Sequence, residues 1–535
     1  MKPKINSSWL FLALLILAIF LSISMLFPWR VAPVTAQLDE FSGDRALTHL
    51  PIIAQEPHPS GSPAQEKVRD YLVKQLTDLG LIVEVQQAPG VENVMARLYG
   101  TDSNGAVLLQ SHYDSYGGPG AADNGSGVAT SLEIARALTS GSELKNDIIF
   151  LFDDAEENPD PFTGTKLFIR KHPWMEDVRV AIGMDTAVRG FISVVDTGPN
   201  NGWIVKVLAE VHPVGVWTSL SGGGGYDTRP FRDAGIRVLE FEDNYPFYQQ
   251  HTSDDTLEIV NSGSVQQLGD QVLAVVRVLG DRDLKITSGE QLSYMYVHGI
   301  GLVYYREALA LPFVILAGLF LFVTLVIAFR YYFVTWRGFG LTFISMITLA
   351  VLAGIGTNSI WKAALDLFNW ETQKWSEWPE VIPPNGWWIL IVSYLTILVL
   401  SVLLYRFIRR WSTRTSFSIF GFFIFFLLAV VIAISDPRGA MFITWPVLIG
   451  SAAWMVAIVL SHIRHKWAAD MCIFIAALPT IFYLLPLLPS IFMSDGTKSV
   501  AVTAAVWVIV LGIILPVVDD LLTHPVLKAK EGSGN

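Results

Sequence analysis

Seven apolar runs of nearly membrane-spanning length fill most of this 535-residue sequence after residue 309. An α-helix needs about 20 predominantly apolar residues to cross the hydrocarbon core of a bilayer. An eighth run, residues 9–27, follows a short start that carries Lys2 and Lys4. The sequence therefore predicts a helical membrane domain over residues 309–522 and an N-terminal transmembrane anchor. The seven runs are residues 309–329, 339–360, 387–408, 416–434, 441–461, 468–492 and 499–518.

Basic residues are concentrated in alternate loops between these runs. These loops all lie on the same side of the membrane as Lys2 and Lys4 if every run crosses once. Because cytoplasmic loops carry an excess of Lys and Arg, eight crossings place both termini in the cytoplasm and residues 30–305 on the other side. The basic residues are Arg330, Arg337, Arg406, Arg409, Arg410, Arg414, Arg464, Lys466, Lys528 and Lys530.

The first apolar run has a second interpretation, which is a cleaved signal peptide. Val34, Thr35 and Ala36 resemble a small-residue cleavage site. The run is longer than the apolar core of a usual signal peptide, and this favours a retained anchor. Under either interpretation the residues that follow are sent across the membrane.

Composition narrows the partners of the chain. With 37 basic and 48 acidic residues, the formal net charge is -11. Binding to nucleic acid needs a basic face that neutralises phosphates, so we expect the lipid bilayer and no nucleic acid as a partner. Self-association into a homo-oligomer stays open. The single cysteine, Cys472, lies in an apolar run, so neither an intramolecular disulfide nor a thiolate metal site is expected.

Residues 45–285 have a different sequence pattern, in which short β-rich runs alternate with amphipathic segments. Ser62 and Gln65 read as a capping box that starts a helix, and Gly80 closes that helix. The pattern predicts an α/β domain with a mixed, mostly parallel sheet and helices on both faces. The predicted strands are 81–85, 93–98, 107–111, 147–152, 178–184 and 236–241, and the further predicted helices are 127–138, 162–171 and 265–279.

These changes in sequence pattern divide the chain into segments. The predicted divisions are a cytoplasmic start (1–8), a transmembrane anchor (9–27), a linker (28–44), the α/β domain (45–285), a second linker (286–308), the membrane domain (309–522) and a cytoplasmic tail (523–535).

A histidine and two carboxylates follow the predicted strand 107–111. His112 and Asp114 are two residues apart, and on an extended chain such residues point the same way. Asp114 can then accept the second imidazole N–H while the other nitrogen binds a metal. Asp123 comes next, in a Gly-rich turn before a helix. For a lone His-X-Asp a surface pair is the commoner explanation, and Asp123 alone could be a helix cap.

Carboxylates and a second histidine also follow other predicted strands. Glu156 and Glu157 come after strand 147–152, Asp185 ends strand 178–184, and His251 follows strand 236–241. The ends of parallel strands are where α/β folds place their sites. Adjacent residues cannot both face one ion, so one glutamate is expected to bind metal and the other to take a proton from water. Together the residues suit two zinc ions sharing one bridging aspartate.

Taken in order, these motifs resemble those of the di-zinc aminopeptidases of clan MH, and the apolar runs resemble the membrane-bound branch of that family. The resemblance covers roughly residues 45–285. It implies that Asp123 bridges two zinc ions, that His112 and Asp185 complete one zinc site, and that Glu157 and His251 complete the other.

The resemblance also implies roles beyond the metal ligands. Glu156 would act as general base and then acid, Asp114 would orient His112, and Asp227 with Tyr226 would contact substrate. The chain departs from the family pattern after the glutamate pair, where residues 158–165 replace the common Gly-Leu-X-Gly-Ser continuation. This departure leaves the metal set intact and bears on substrate preference.

These observations lead to the expectation of a membrane-anchored zinc metallopeptidase, of aminopeptidase type, acting on peptides on the non-cytoplasmic side. Two alternatives remain open from the sequence. One is an acyltransferase similar to glutaminyl cyclase, which uses a related site. The other is a transporter or partner-binding membrane protein that carries a peptidase-like domain.

Overall fold

The computed structural model describes residues 7–24, 30–157, 160–188, 190–211, 227–243, 249–286, 289–297, 300–368, 386–463, 465–488, 491 and 499–523. Residues Tyr226 and Tyr248 lie outside this set. The chain forms two compact units. One unit is built mainly from residues up to Tyr304 that follow the first helix, and the other from the first helix and the residues from Tyr305 onward.

A seven-stranded sheet, in the order β1-β2-β4-β3-β5-β7-β6, forms the centre of the first unit. Each of the six predicted strands is present, and one further strand, β6, closes an edge. The strands are β1 (Ile82–Ala88), β2 (Val91–Leu98), β3 (Ala106–His112), β4 (Asp147–Asp153), β5 (Val178–Asp185), β6 (Ile192–Asp196) and β7 (Arg237–Asp243).

The four central strands, β4, β3, β5 and β7, run parallel, and the outer pairs run antiparallel. Parallel strands end at the same edge of a sheet. His112, Asp153 and Asp185 therefore finish their strands on one edge, and the motifs that follow these strands begin there.

Helices cover both faces of this sheet, as predicted for a sheet whose inner strands are continuously apolar. Along β3, Val107 and Leu109 face one core while Ala106 and Leu108 face the other. Within the described residues most α-helices pack on the first of these faces, while α6, α8 and Trp174 of the 3-10 helix Pro173–Glu176 lie on the second. The helices are α2 (Gly43–Leu47), α3 (Leu50–Ile53), α4 (Pro63–Asp78), α5 (Gly125–Thr139), α6 (Thr163–Lys171), α7 (Gly202–Val211), α8 (Arg229–Asp233) and α9 (Ser262–Gly280), preceded in the chain by α1 (Ser7–Ser24).

Helix α4 begins and ends as its sequence predicts. The Ser62 hydroxyl accepts a hydrogen bond from Gln65 N at 3.1 Å, and Gly80 takes a left-handed φ of 81° just after the helix. The Gln65 side chain differs from a simple capping box. Its Oε1 accepts from Gly61 N at 2.6 Å, and its Nε2 donates to Asp154 Oδ1 beyond β4. The start of α4 is thus tied to the residues that precede Glu156.

The second unit consists of helices. Within the residues that the structure describes, seven are long and apolar enough to cross a membrane. The first predicted span corresponds to α1, whose apolar part Trp9–Ser24 is shorter, and residues 25–29 lie outside the described part. The later helices are α10 (Ala310–Arg330), α11 (Trp336–Leu367), α12 (Gly386–Ile408), α13 (Arg414–Ser435), α14 (Met441–His462), α15 (Lys466–Pro479, continued by a π-helical turn at Thr480–Leu484) and α16 (Val500–Thr523).

Polar side chains inside the second unit bond across helices. Thr324 Oγ1 donates to Ser451 O at 2.9 Å, which joins α10 to α14. Arg414 Nε donates to Asp519 Oδ2 at 2.6 Å, and Tyr405 OH donates to the same oxygen at 2.8 Å. Charged residues in a membrane domain are costly unless they are paired in this way.

We predict that Gly164→Ala destabilises the first unit. Gly164 lies at the start of α6, where an added Cβ would meet Asp154 O at 2.2 Å and Asn93 Oδ1 at 2.4 Å. Both groups are fixed by hydrogen bonds, so the expected cost is about 1–3 kcal/mol of unfolding free energy. Gly289→Ala is the matched control, because nothing lies within 4 Å of its added Cβ. Equal thermal midpoints for the two variants would contradict the prediction.

Candidate metal centre

Asp123 lies between two imidazole rings at the edge where the parallel strands end. His112 Nε2 is 3.2 Å from Asp123 Oδ1, and His251 Nε2 is 3.2 Å from Asp123 Oδ2. Glu157 Oε1 lies 3.0 Å from the same His251 nitrogen. A carboxylate with one imidazole at each oxygen is suited to bridge two metal ions.

The potential ligand atoms fall into two overlapping groups, in each of which they lie within 4.8 Å of one another. One group is His112, Asp123 and Glu157, and the other is His112, Asp185 and Asp227. The structure thus brings all five sequence-predicted ligands to one site. It also places Asp227, expected from the resemblance to contact substrate, beside His112 and Asp185.

Unpartnered polar atoms show that the site fits cations. Asp185 Oδ1 and Asp227 Oδ2 are buried and have no hydrogen-bond partner among the described residues, and both carboxylates belong to the second of these groups. Buried polar atoms are usually satisfied, and a bound cation would satisfy carboxylate oxygens that have no partner in the protein. Carboxylate oxygens and imidazole nitrogens are the donors that zinc accepts alongside thiolates.

The turn before α5 leaves Asp123 free to face the histidines. Asn124, and not Asp123, caps the helix, because Asn124 Oδ1 accepts from Gly127 N at 3.0 Å. Asn124 Nδ2 also donates to Met184 O at 2.9 Å, next to Asp185. The helix-cap interpretation of Asp123 is therefore wrong. The peptide bond between Asp123 and Asn124 is cis.

Asp255 holds the other side of this turn. Its carboxylate accepts from Ala122 N at 2.7 Å and from Asp123 N at 3.1 Å. Gln250 Nε2 donates to Asp123 Oδ2 at 2.9 Å. Asp255 follows His251 by four residues and Gln250 directly precedes it, but nothing in this spacing indicated that either residue positions Asp123.

Asp114 connects the histidine to the glutamate pair. Its Oδ1 lies 3.5 Å from His112 Nδ1 and accepts from Glu156 N at 3.2 Å, while Oδ2 accepts from Glu157 N at 3.3 Å. The carbonyl of Asp114 is the nearer contact of His112 Nδ1, at 3.2 Å. One residue therefore borders the imidazole and fixes the backbone of both glutamates.

Three residues next to the site have left-handed backbone conformations that non-glycine residues seldom adopt. These are Ala155, Thr186 and His251, with φ of 59°, 36° and 59°. Ala155 immediately precedes the candidate base Glu156, and Thr186 immediately follows the candidate ligand Asp185. His251 is itself a candidate ligand. Such conformations cluster at functional sites, where the surrounding structure holds them in place.

Burial and mutual repulsion shift the proton affinities of these groups. Burial raises the pKa of Glu156 well above its usual range, and Glu157, Asp123 and Asp114 raise it further against an opposing effect of His112. Burial, together with Asp123, raises the pKa of Asp185 to about 7. A carboxyl group with a raised pKa is suited to general acid and base catalysis near neutral pH.

The pKa values of His112 and His251 are both raised, which favours the charged form of each imidazole. Burial opposes this shift, but hydrogen bonds to Asp123 and Glu157 raise the pKa of His251 to about 11. Burial opposes ionisation of Asp123 as well, yet His112 and His251 hold the pKa of Asp123 below its usual range. The electrostatics thus show a strongly anionic pocket that favours cations, whether protons or metal ions.

Comparison with known proteins identifies the relatives of this domain. Residues 93–276 match Peptidase family M28. Endoplasmic reticulum metallopeptidase 1 of Rattus norvegicus is 31% identical over 302 residues, which are 49% of this chain and 32% of that protein. A vacuolar membrane protease of Candida dubliniensis is 25% identical over 310 residues, covering 51% of this chain and 33% of that protein.

The chain thus matches about a third of the length of these relatives. Among solved structures, an aminopeptidase from Aneurinibacillus sp. strain AM-1 has a TM-score of 0.40 and 16% identity, covering 45% of this chain and 94% of that one. The region that carries the site around Asp123 thus matches Peptidase family M28 over residues 93–276 and is similar in sequence to an endoplasmic reticulum metallopeptidase and a vacuolar membrane protease.

Proposed function

We propose that this chain is a membrane-anchored zinc metallopeptidase that removes residues from the amino end of peptides. The observation that carries the proposal is the position of Asp123 between His112 and His251, with the Glu156–Glu157 pair fixed beside it by Asp114. Residues 45–285 would form the peptidase domain and residues 309–522 the membrane domain. Peptides and the bilayer are the proposed partners.

Asp123 would serve as a ligand in both of two proposed zinc sites. His112 and Asp185 would complete one site, and Glu157 and His251 would complete the other. When bound, zinc supplies a Lewis acid for the peptide carbonyl and lowers the pKa of a water molecule. Asp227 lies close enough to His112 and Asp185 to border the first of these sites.

Glu156 handles the proton in this proposal. Its carboxylate accepts a proton from the attacking water and then gives that proton to the leaving amine of the peptide. The same environment that raises its pKa makes the protonated form accessible between these two steps. Asp114 keeps the backbone of Glu156 in place through the bond between its Oδ1 and Glu156 N.

The proposed topology places both termini in the cytoplasm and the peptidase domain on the non-cytoplasmic side. Its support is the concentration of basic residues in alternate loops, together with the seven apolar helices of membrane-spanning length found in the described part of the chain. The first helix would supply the eighth crossing.

Replacing Glu156 tests the proposed base. Glu156→Gln keeps the shape of the side chain but cannot take a proton, so we expect the turnover of an aminoacyl p-nitroanilide to fall by about 10²- to 10⁴-fold. Zinc content per chain, measured by atomic emission, should stay at the wild-type value. Glu157→Gln is the matched control and should lose zinc as well as activity. Full activity of zinc-loaded Glu156→Gln would reject the assignment.

Paired substrates separate the peptidase from the alternatives. The wild-type protein should cleave peptides with a free amino end, leave N-blocked peptides intact, and lose activity with a chelator. Formation of N-terminal pyroglutamate from a glutaminyl peptide, without peptide cleavage, would instead indicate a cyclase.

The pKa shifts predict how zinc changes stability with pH. Burial raises the pKa of Asp185 and of Asp255 to about 7, and hydrogen bonds raise that of His251 to about 11 against the effect of burial. Unfolded carboxyl and imidazole groups titrate near about 4 and 6.5. Between pH 5 and 8 the folded zinc-free protein thus binds more protons than the unfolded one, so its stability falls as pH rises.

We therefore expect the thermal midpoint of the zinc-free full chain in detergent to fall from pH 5 to pH 8. Added zinc should raise the midpoint more at pH 8 than at pH 5, because zinc and protons compete for the same ligands. Asp185→Asn should reduce the gain from zinc at pH 8. A zinc-free midpoint that rises across this range would contradict the prediction.

Cysteine labelling tests the topology. In a Cys472→Ser background, Lys67→Cys places a thiol on the peptidase domain, and Tyr332→Cys places one in the loop between α10 and α11, where Tyr332 is 61% exposed. In sealed membranes whose non-cytoplasmic face is outward, an impermeant maleimide should label Lys67→Cys directly and Tyr332→Cys only after permeabilisation. The opposite pattern would invert the proposed orientation.

A further inference from the structure

A surface cavity of about 430 Å³ lies between α6 and α8, on the sheet face opposite α4, α5 and α9. Phe162, Ile169 and Pro230 form apolar parts of its wall. Beneath it, Phe168 of α6 and Phe231 of α8 pack with ring centroids 6.2 Å apart, which fixes the spacing of the two helices. The cavity is therefore bounded by two helices that are packed on the core.

The charged side chains of the cavity are mostly basic. Lys166, Arg170 and Arg229 line it together with one acid, Asp233. Lys166 Nζ is 2.8 Å from an exposed carboxylate, Asp160, and Arg229 Nε is 3.8 Å from Asp233. Arg170 forms no ion pair with any residue in the described part of the chain. The charged residues that line the cavity thus carry a net positive charge next to the apolar parts of its wall.

Both helices that bound the cavity begin a few residues after candidate residues of the metal centre. At the start of α6, Gly164 N donates to Asp154 O at 3.0 Å and Thr163 N donates to Ala155 O at 3.3 Å, immediately before Glu156. Helix α8 begins at Arg229, two residues after Asp227. The chain segments that carry the glutamates and Asp227 therefore continue directly into the two basic walls.

Phe162, which lines this cavity, has an unusual backbone conformation. It is a buried residue with a left-handed φ of 63°, a conformation that non-glycine residues adopt mainly where the surrounding structure enforces it. It also lies within residues 158–165, where the sequence departs from the family pattern in a way that bears on substrate preference.

We propose that this cavity is a subsite for the C-terminal carboxylate of a short peptide whose amino end lies at the metal centre. The inference rests on the proposed peptidase function and adds a substrate class to it, which is short peptides with a free carboxyl end. Guanidinium groups pair well with carboxylates, and the apolar parts of the wall suit the last side chain of the peptide. The anionic centre and the cationic cavity then complement the two ends of a zwitterionic peptide.

The experiment compares peptides that differ only at the carboxyl end. Di-, tri- and tetrapeptides with the same N-terminal residue are supplied as free acids and as amides to the zinc-loaded full chain. At the length that spans the two sites, the acid should have a higher kcat/KM than the amide, on the order of 3- to 10-fold, as expected for partly exposed ion pairs. Equal values at all lengths would overturn the inference.

Variants on the two helices assign that preference to the cavity. Arg170→Gln with Arg229→Gln should bring the ratio of acid to amide close to one. Lys171→Gln is the matched control, since Lys171 lies on the same helix, is exposed and does not line the cavity; it should keep the wild-type ratio. A double variant that keeps the full preference would place the carboxylate elsewhere and reject the proposal.

Two further substrates separate the possible outcomes. An aminoacyl p-nitroanilide has no distal carboxylate, so the wild type and the double variant should hydrolyse it at the same rate. If the wild-type protein does not hydrolyse this substrate, the peptidase function itself is rejected. An amide peptide that ends in aspartate should not recover the rate of the free acid. If it does, the cavity binds acidic side chains and the C-terminal assignment is wrong.

Discussion

Repulsion among buried carboxylates is the constraint on which the first unit depends. Asp123, Glu156, Glu157, Asp185 and Asp227 converge on one sheet edge, and like charges in such surroundings destabilise one another unless protons or cations neutralise them. The two histidines offset part of this charge. The remaining negative charge favours the binding of cations, so the same repulsion that destabilises the charged, cation-free pocket would also drive metal binding.

Backbone N–H groups and neighbouring side chains hold these carboxylates in place. Asp255 accepts from the turn that carries Asp123, and Asp114 accepts from the backbone of both glutamates. Asn124 caps α5 and thereby releases Asp123. The ligands are thus positioned by bonds within the protein, and this limits the rearrangement needed when cations bind.

Much of this arrangement could be predicted from the sequence because strand ends carry the motifs. The apolar runs of β3, β4 and β5 and the polar residues that follow them indicated both the parallel centre of the sheet and the residues gathered at its edge. Strand β6 and helix α7 were not predicted, because their short runs are not distinguishable by period from loop segments. The grouping of Asp227 with His112 and the roles of Asp255 and Gln250 depend on contacts between distant segments, which no local pattern records.

The Asp154 carboxylate has a consequence for folding. Its oxygens accept from Gln65 at the start of α4, from Glu92 N at the start of β2 and from Ala155 N. The loop that presents Glu156 is therefore completed only when segments nearly ninety residues apart have met. Metal affinity should accordingly appear late, after the sheet and its first covering helix have assembled, and a partly folded chain would lack the site even though it contains every ligand.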